Sequence, residues 1–335
     1  MNMNQWIGRQ INSKTKKPLP VLSFPGIQKM PGTTVPSLVR NGRLQADCMK
    51  IIAGRFDTAA SVSLMDLSVE AEAFGSKIRF SDDEVPTVAA ALLADEADAD
   101  ALEIPNVGAG RTGEYIRAVG YASKEITDRP VFAGSIGPFS LAGRLLDMTE
   151  IMILSMTEPE IVAKTVDKCA AFIAEYILAF KKAGANGVVM AEPAAGLLSP
   201  ALNDQFSVPY VRRILEAVQD EDFAVVYHNC GNTIPLIGGI LSAGVKILHL
   251  GNAIKLDEML PLVPKDVMVC GNVDPASEFR NGTPESVRRA TMSVLEKCSG
   301  YPNFVISSGC DIPPVSPFAN IEAFFKAAEE FYSKL

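Results

Sequence analysis

The chain has 335 residues, 48% hydrophobic and 21% charged, with a net charge of -8. That is a globular composition, long enough to bury a sizeable core, and the acidic balance without Lys/Arg clusters among aromatics excludes nucleic acid as a partner. No apolar run is long enough to span a bilayer, and the six cysteines follow no disulfide framework, as expected of a cytoplasmic protein; residues 1–18 read as a polar N-terminal extension rather than a signal peptide.

Pro20-Val21-Leu22-Ser23-Phe24 reads as a first strand, and the turn-rich loop 25–32 follows it. A helical pattern covers 37–53, with Leu38, Leu44, Met49 and Ile52 on its apolar side. Residues 60–65 form a second strand ending at Asp66, and a helix carrying Leu67, Val69 and Phe74 stops at Gly75. The stretch 78–113 is polar and irregular, and its acids, such as Asp95, Glu96 and Asp98, read as solvated surface. Gly108-Ala109-Gly110-Arg111-Thr112-Gly113 matches G-x-G-x-x-G formally. A dinucleotide site also needs a strand before it and an acid about 20 residues on. Pro105 spoils the strand and no acid stands at 131–134, so the glycines are read as the entry to a helix over 114–126.

From there the pattern becomes regular. Strand-like runs at 131–136, 187–192, 224–227, 245–250, 267–272 and 304–307 alternate with helical patterns, the last helix covering 320–332. Eight strand-like runs, nearly all followed by helices, predict a single α/β domain over 1–335 built as a (β/α)8 TIM barrel. Polar residues collect at strand C-termini: Asp66, Glu192, His228, Cys230, Asn252, Asn272 and Cys310. A barrel builds its active site on that face, although a doubly wound sheet would use the same end.

Three of these residues carry a metal chemistry. In Tyr227-His228-Asn229-Cys230-Gly231 the His and Cys stand at i and i+2 after an apolar run, so they project from one face of an extended chain. Cys310, in Ser307-Ser308-Gly309-Cys310-Asp311, follows another strand end. One His and two Cys with an open fourth position form the ligand set of a catalytic zinc. Cys48, Cys169, Cys270 and Cys298 lie in apolar patterns and read as core, and His249, inside a strand, reads as a structural histidine.

His-Asn-Cys-Gly-Asn followed much later by Ser-Ser-Gly-Cys-Asp-Ile-Pro-Pro resembles the H-x-C…C zinc signature of the methylcobamide:coenzyme M methyltransferases, a branch of the uroporphyrinogen decarboxylase superfamily. Residues 191–200 and 271–275 are similar to two further loops of that family, and the likeness is strongest from Gly187 onward. The resemblance implies a TIM barrel, a zinc ion held by His228, Cys230 and Cys310, and methyl transfer from a methylcorrinoid to a small thiol. The corrinoid would be presented by a separate corrinoid protein. Glu192 is the nearest candidate for the fourth zinc position; the alternatives are that it orients His228, that it manages a proton, or that water fills the position. Asn252 and Asn272 are candidate cofactor-binding residues, or else caps of the helices after them. A thiol entering the site loses its proton and becomes the nucleophile for the methyl group. The competing readings are transfer in reverse onto a corrinoid protein, a non-catalytic zinc-stabilised corrinoid-protein partner, and tetrapyrrole decarboxylation. The last is disfavoured because 23–30 lacks the arginine-rich stretch of the decarboxylases.

Overall fold

A computed structural model describes residues 1–334. Its strands are β1 (Ser61–Val62), β2 (Ile78–Arg79), β3 (Thr87–Val88), β4 (Val131–Ile136), β5 (Gly187–Ala191), β6 (Ala224–Asn229), β7 (Ile247–Leu250), β8 (Met268–Val273) and β9 (Phe304–Ser308). Seven of them form one sheet in the order β1-β4-β5-β6-β7-β8-β9, with every neighbouring pair parallel. Helices fill the crossovers, the longest being Pro159–Ala183 between β4 and β5. Parallel strands covered on both faces are apolar almost throughout. In β6, Ala224 and Val226 belong to an inner cluster, while Val225 and Tyr227 pack outward among the helices. That two-residue alternation continues to His228, which therefore points inward.

The expected first strand at 20–24 does not form. Pro18 and Pro20 have no N–H to donate to a ladder, and Phe24–Lys29 winds into a 3-10 helix. The segment nevertheless lies between the two edge strands of the sheet. Leu19 N donates to Ile306 O at 3.0 Å on the β9 side, and Ala59 N donates to Pro18 O at 2.8 Å on the side leading to β1. The observed architecture is thus an α/β fold with a seven-stranded parallel sheet and an irregular segment bonded to both of its edges.

Residues 1–18 are not simply a polar extension. Met3–Asn12 is a helix capped by Asn2, and it buries Met3, Trp6 and Ile7. These stand at i, i+3 and i+4, one narrow apolar stripe in a polar segment. Trp6 meets Phe132 edge to face with centroids 5.6 Å apart, inside the inner cluster. Met3 N donates to Glu221 O just ahead of β6, so the helix covers the N-terminal ends of the strands, opposite the site described below. The region 78–113, expected to be irregular, holds the antiparallel β2–β3 ribbon and a short helix, Glu96–Ala101, capped by Asp95. No described helix is long and apolar enough to cross a membrane.

Candidate metal centre

A cavity of about 480 Å³ opens at the C-terminal ends of the strands. His228, Cys230 and Cys310 lie on its wall, and their ligand atoms all fall within 4.8 Å of one another. His228 turns Nε2 toward Cys310 Sγ at 3.4 Å, while its Nδ1–H donates to the backbone carbonyl of His249 at 3.0 Å. That carbonyl can only accept, so the nitrogen facing the thiols is the one with the free lone pair. All six cysteines are unpaired, so Cys230 and Cys310 are free to act as ligands. Cys48, Cys169, Cys270 and Cys298 are buried, in keeping with their reading as core.

The turn that presents Cys230 is tied by its neighbour. Asn229 accepts from Gly231 N at 2.8 Å and donates to Glu192 O at 2.6 Å, which closes the chain around Cys230. Gly251, at the exit of β7, packs directly on Cys230: a Cβ there would lie 2.5 Å from the Cys230 Cα. Cys310 is held from the other side, with Gly309 N donating to Val273 O at 2.6 Å and Ile312 N to Val21 O at 2.9 Å. The two thiols lie within 4.8 Å of each other, close enough to influence one another electrostatically. The nearby Cys230 holds the Cys310 thiol below its usual range, whereas Cys230 is pushed up to about 12 by its closeness to Cys310.

Glu192 does not join this cluster. Its neighbours Ala191 and Pro193 line the cavity and it does not, because the alternation turns it to the other face. Its carboxylate caps the helix Pro138–Leu146, accepting from Phe139 N at 3.1 Å and from Ser140 N and Oγ at 2.6 Å each. A Cβ on Gly137 would lie 2.2 Å from that carboxylate, so glycine leaves room for it. Asn252 and Asn272 do not line the cavity either. Asn252 donates to Asp274 at 2.9 Å, and Asn272 donates to the carbonyls of Gly251 and Ile254, fastening the loop after β7. Asp66 is buried with Arg111, Ser68 and Tyr115, the Tyr115 hydroxyl donating to it at 3.0 Å. Arg111, inside the glycine-rich run, reaches Glu72 at 2.5 Å with its Nε. That run is thus the entry to the helix Thr112–Glu125 and carries an internal ion pair.

The sequence reading missed three groups on the cavity wall. Arg144 projects from the helix Pro138–Leu146 and makes no hydrogen bond or ion pair with any described residue; burial lowers its pKa. Asp311 is half-buried with one carboxyl oxygen buried and unpartnered, and desolvation pushes its carboxyl well above the usual range. The β2–β3 ribbon supplies residues 83–88 as one side of the mouth. An arginine on a helix and an acid after a ligand carry no local motif, so only the packing singles them out.

The donor set matches zinc on its own chemistry: one imidazole nitrogen and two sulfurs, converging from two strand ends and open to a cavity. The profile of the family described as Uroporphyrinogen decarboxylase (URO-D) matches residues 23–331. Methylcobamide:CoM methyltransferase MtbA of Methanosarcina mazei is 30% identical over 275 residues, 79% of this chain and 78% of that protein. A uroporphyrinogen decarboxylase of Synechococcus sp. is 29% identical over 226 residues, 65% of this chain and 63% of that protein. A solved structure of a methyltransferase from Methanosarcina mazei superposes with a TM-score of 0.86 at 21% identity, covering 99% of both chains.

Proposed function

The chain belongs to the uroporphyrinogen decarboxylase family, and we propose that within it the protein is a methyltransferase, moving a methyl group from a methylated corrinoid on a partner protein to the sulfur of a small thiol. The observation that carries this reading is the convergence of His228, Cys230 and Cys310 at the wall of an open cavity. When held by these three side chains, zinc would supply acidification of a thiol entering its remaining position. The rest is done by the chain's own groups. His228 offers a bare Nε2 that faces Cys310. Arg144 is an unpaired guanidinium on the same cavity, a countercharge for an acidic group on the thiol, as in 2-mercaptoethanesulfonate. Asp311, whose carboxyl is held well above its usual range by desolvation, lines the same cavity. The cavity is bounded by Val21 and Met65 on its apolar side, which keeps water away from the sulfur.

We also read 18–22 as the eighth stave of a closed (β/α)8 barrel, since it bonds to both sheet edges. Six unpaired cysteines favour a reducing compartment, the cytoplasm.

The test combines zinc content of the untagged protein with demethylation of methylcob(III)alamin, followed by absorbance with and without 2-mercaptoethanesulfonate. About one zinc per chain and thiol-dependent turnover, both lost in Cys310→Ala, is the expected outcome. Metal-free protein that decarboxylates uroporphyrinogen, and does so equally well as Cys310→Ala, would overturn it. Methylation of the corrinoid protein from a thioether, with no forward turnover, would reverse the direction.

A further inference from the structure

We infer that His249 is a positioning residue for His228, the anchor of a relay of four buried groups that leaves His228 Nε2 bare and aimed at the two thiols. The inference rests on the reading of His228 as a metal ligand.

The far end is the carbonyl of Leu19, which can only accept. Ser307 Oγ lies 2.7 Å from it and must donate its proton there. The Ser307 oxygen then faces His249 Nε2, also at 2.7 Å, with its own proton already committed. His249 must therefore carry its proton on Nε2, which leaves Nδ1 as a lone pair. That lone pair stands 2.8 Å from His228 Nδ1. His228 Nδ1 must then be the protonated nitrogen, shared between His249 Nδ1 and the His249 carbonyl. The near end thus ends on a carbonyl as well. Either alternative tautomer would set two lone pairs against each other at hydrogen-bond distance, or leave two protons facing one another. The backbone builds the arrangement: β6 and β7 pair with His228 opposite His249, and register partners in a parallel pair project to the same side. Ser307 sits on β9, and Leu19 on the segment bonded to its edge. His228, His249 and Ser307 are all buried, so no water competes for these contacts. A ligand imidazole whose second nitrogen is fixed by an acceptor holds its ring orientation and stays a better donor.

The chain contains only two histidines, so protein labelled with 15N-histidine, its tag removed, has four ring nitrogens to assign. Two-bond ring correlations at pH 8 are expected to show His228 protonated at Nδ1 and His249 at Nε2. Finding His249 protonated at Nδ1 would overturn the relay, and this reading requires no metal. The second measurement is zinc affinity, by competition with a chromophoric chelator. His249→Phe removes the nearer of the two acceptors of His228 Nδ1–H, leaving only the backbone carbonyl, and is expected to weaken zinc binding about 10-fold. His249→Asn keeps an oxygen near the place of Nδ1 and is expected to stay within about threefold of the parent. Zinc affinity in His249→Phe equal to the parent, with an unchanged cobalt(II) absorption spectrum, would reduce His249 to a packing residue. A parent protein that binds no zinc, with the tautomers as stated, would fail the metal reading while leaving the relay standing, which separates the two.

Discussion

The exits of β1 and β5 and the exits of β6 and β9 begin alike and end differently. All four place polar side chains at the C-terminal ends of parallel strands. At β1 and β5 the side chains are carboxylates, and each finds donors within the fold: Asp66 meets Arg111, Ser68 and Tyr115, and Glu192 meets the start of the helix Pro138–Leu146. At β6 and β9 the side chains are His228, Cys230 and Cys310, whose ligand atoms converge and which remain on the cavity wall. A carboxylate at a strand end is drawn to the nearest backbone N–H groups or guanidinium, because leaving it buried and unpaired is too costly. Thiols and a neutral imidazole carry no such demand and can wait for a ligand.

Substitutions on the two sides should therefore separate activity from stability. Cys310→Ala is expected to abolish zinc binding and lower thiol-dependent demethylation by about a thousandfold, the several kcal/mol that a catalytic metal supplies. Its far-ultraviolet circular dichroism should match the parent; an unfolded variant would place Cys310 in the framework instead. Arg111→Ala is the converse. Breaking a buried ion pair from one side costs about 3–5 kcal/mol, read as a lower urea midpoint, while zinc stoichiometry of the folded protein stays the same.

Arg144 tests whether the cavity side recognises charge. Arg144→Ala is expected to raise the KM for 2-mercaptoethanesulfonate about 10–100-fold, the loss of a charged hydrogen bond worth about 1.5–3 kcal/mol. The KM for neutral 2-mercaptoethanol should change by less than about threefold, and an equal rise for both thiols would make Arg144 a packing residue. The smallest effect concerns Glu70, which accepts from Ile136 N and Ser135 Oγ at 3.0 Å each while its other oxygen has no partner. Burial raises its carboxyl from 4.5 to about 7. Between those values the folded chain keeps the proton and the unfolded chain has released it, so stability falls as pH rises through that window. The slope from one such group is at most about 1.4 kcal/mol per pH unit. Glu70→Gln should flatten the dependence of Tm on pH between about 4.5 and 7, and an unchanged slope would assign the effect to Glu192, raised to about 7 by the same burial.

Much of this was readable along the chain. The runs at 131–136, 187–191, 224–229 and 304–308 are strands where apolar continuity places them. The helix after the glycine-rich run was readable too, since Pro105 and the missing acid ruled out a nucleotide strand before it. Pro18 and Pro20 were visible as well, but their effect on a ladder depends on which neighbours the segment meets. The stripe Met3, Trp6 and Ile7 has too few apolar positions to stand out from its polar surroundings.

What the sequence by itself determined is the local geometry: a two-residue period puts His228 and Cys230 on one face, and a strand end puts Cys310 at the same level. Those are consequences of backbone periodicity, which every residue carries with it. Which donors Glu192 finds, which carbonyls Asn272 holds, and that His249 meets His228 rather than merely filling the core were decided only in three dimensions. Each depends on a partner from another crossover, and hydrogen bonds between segments far apart in the chain leave no period or spacing to read.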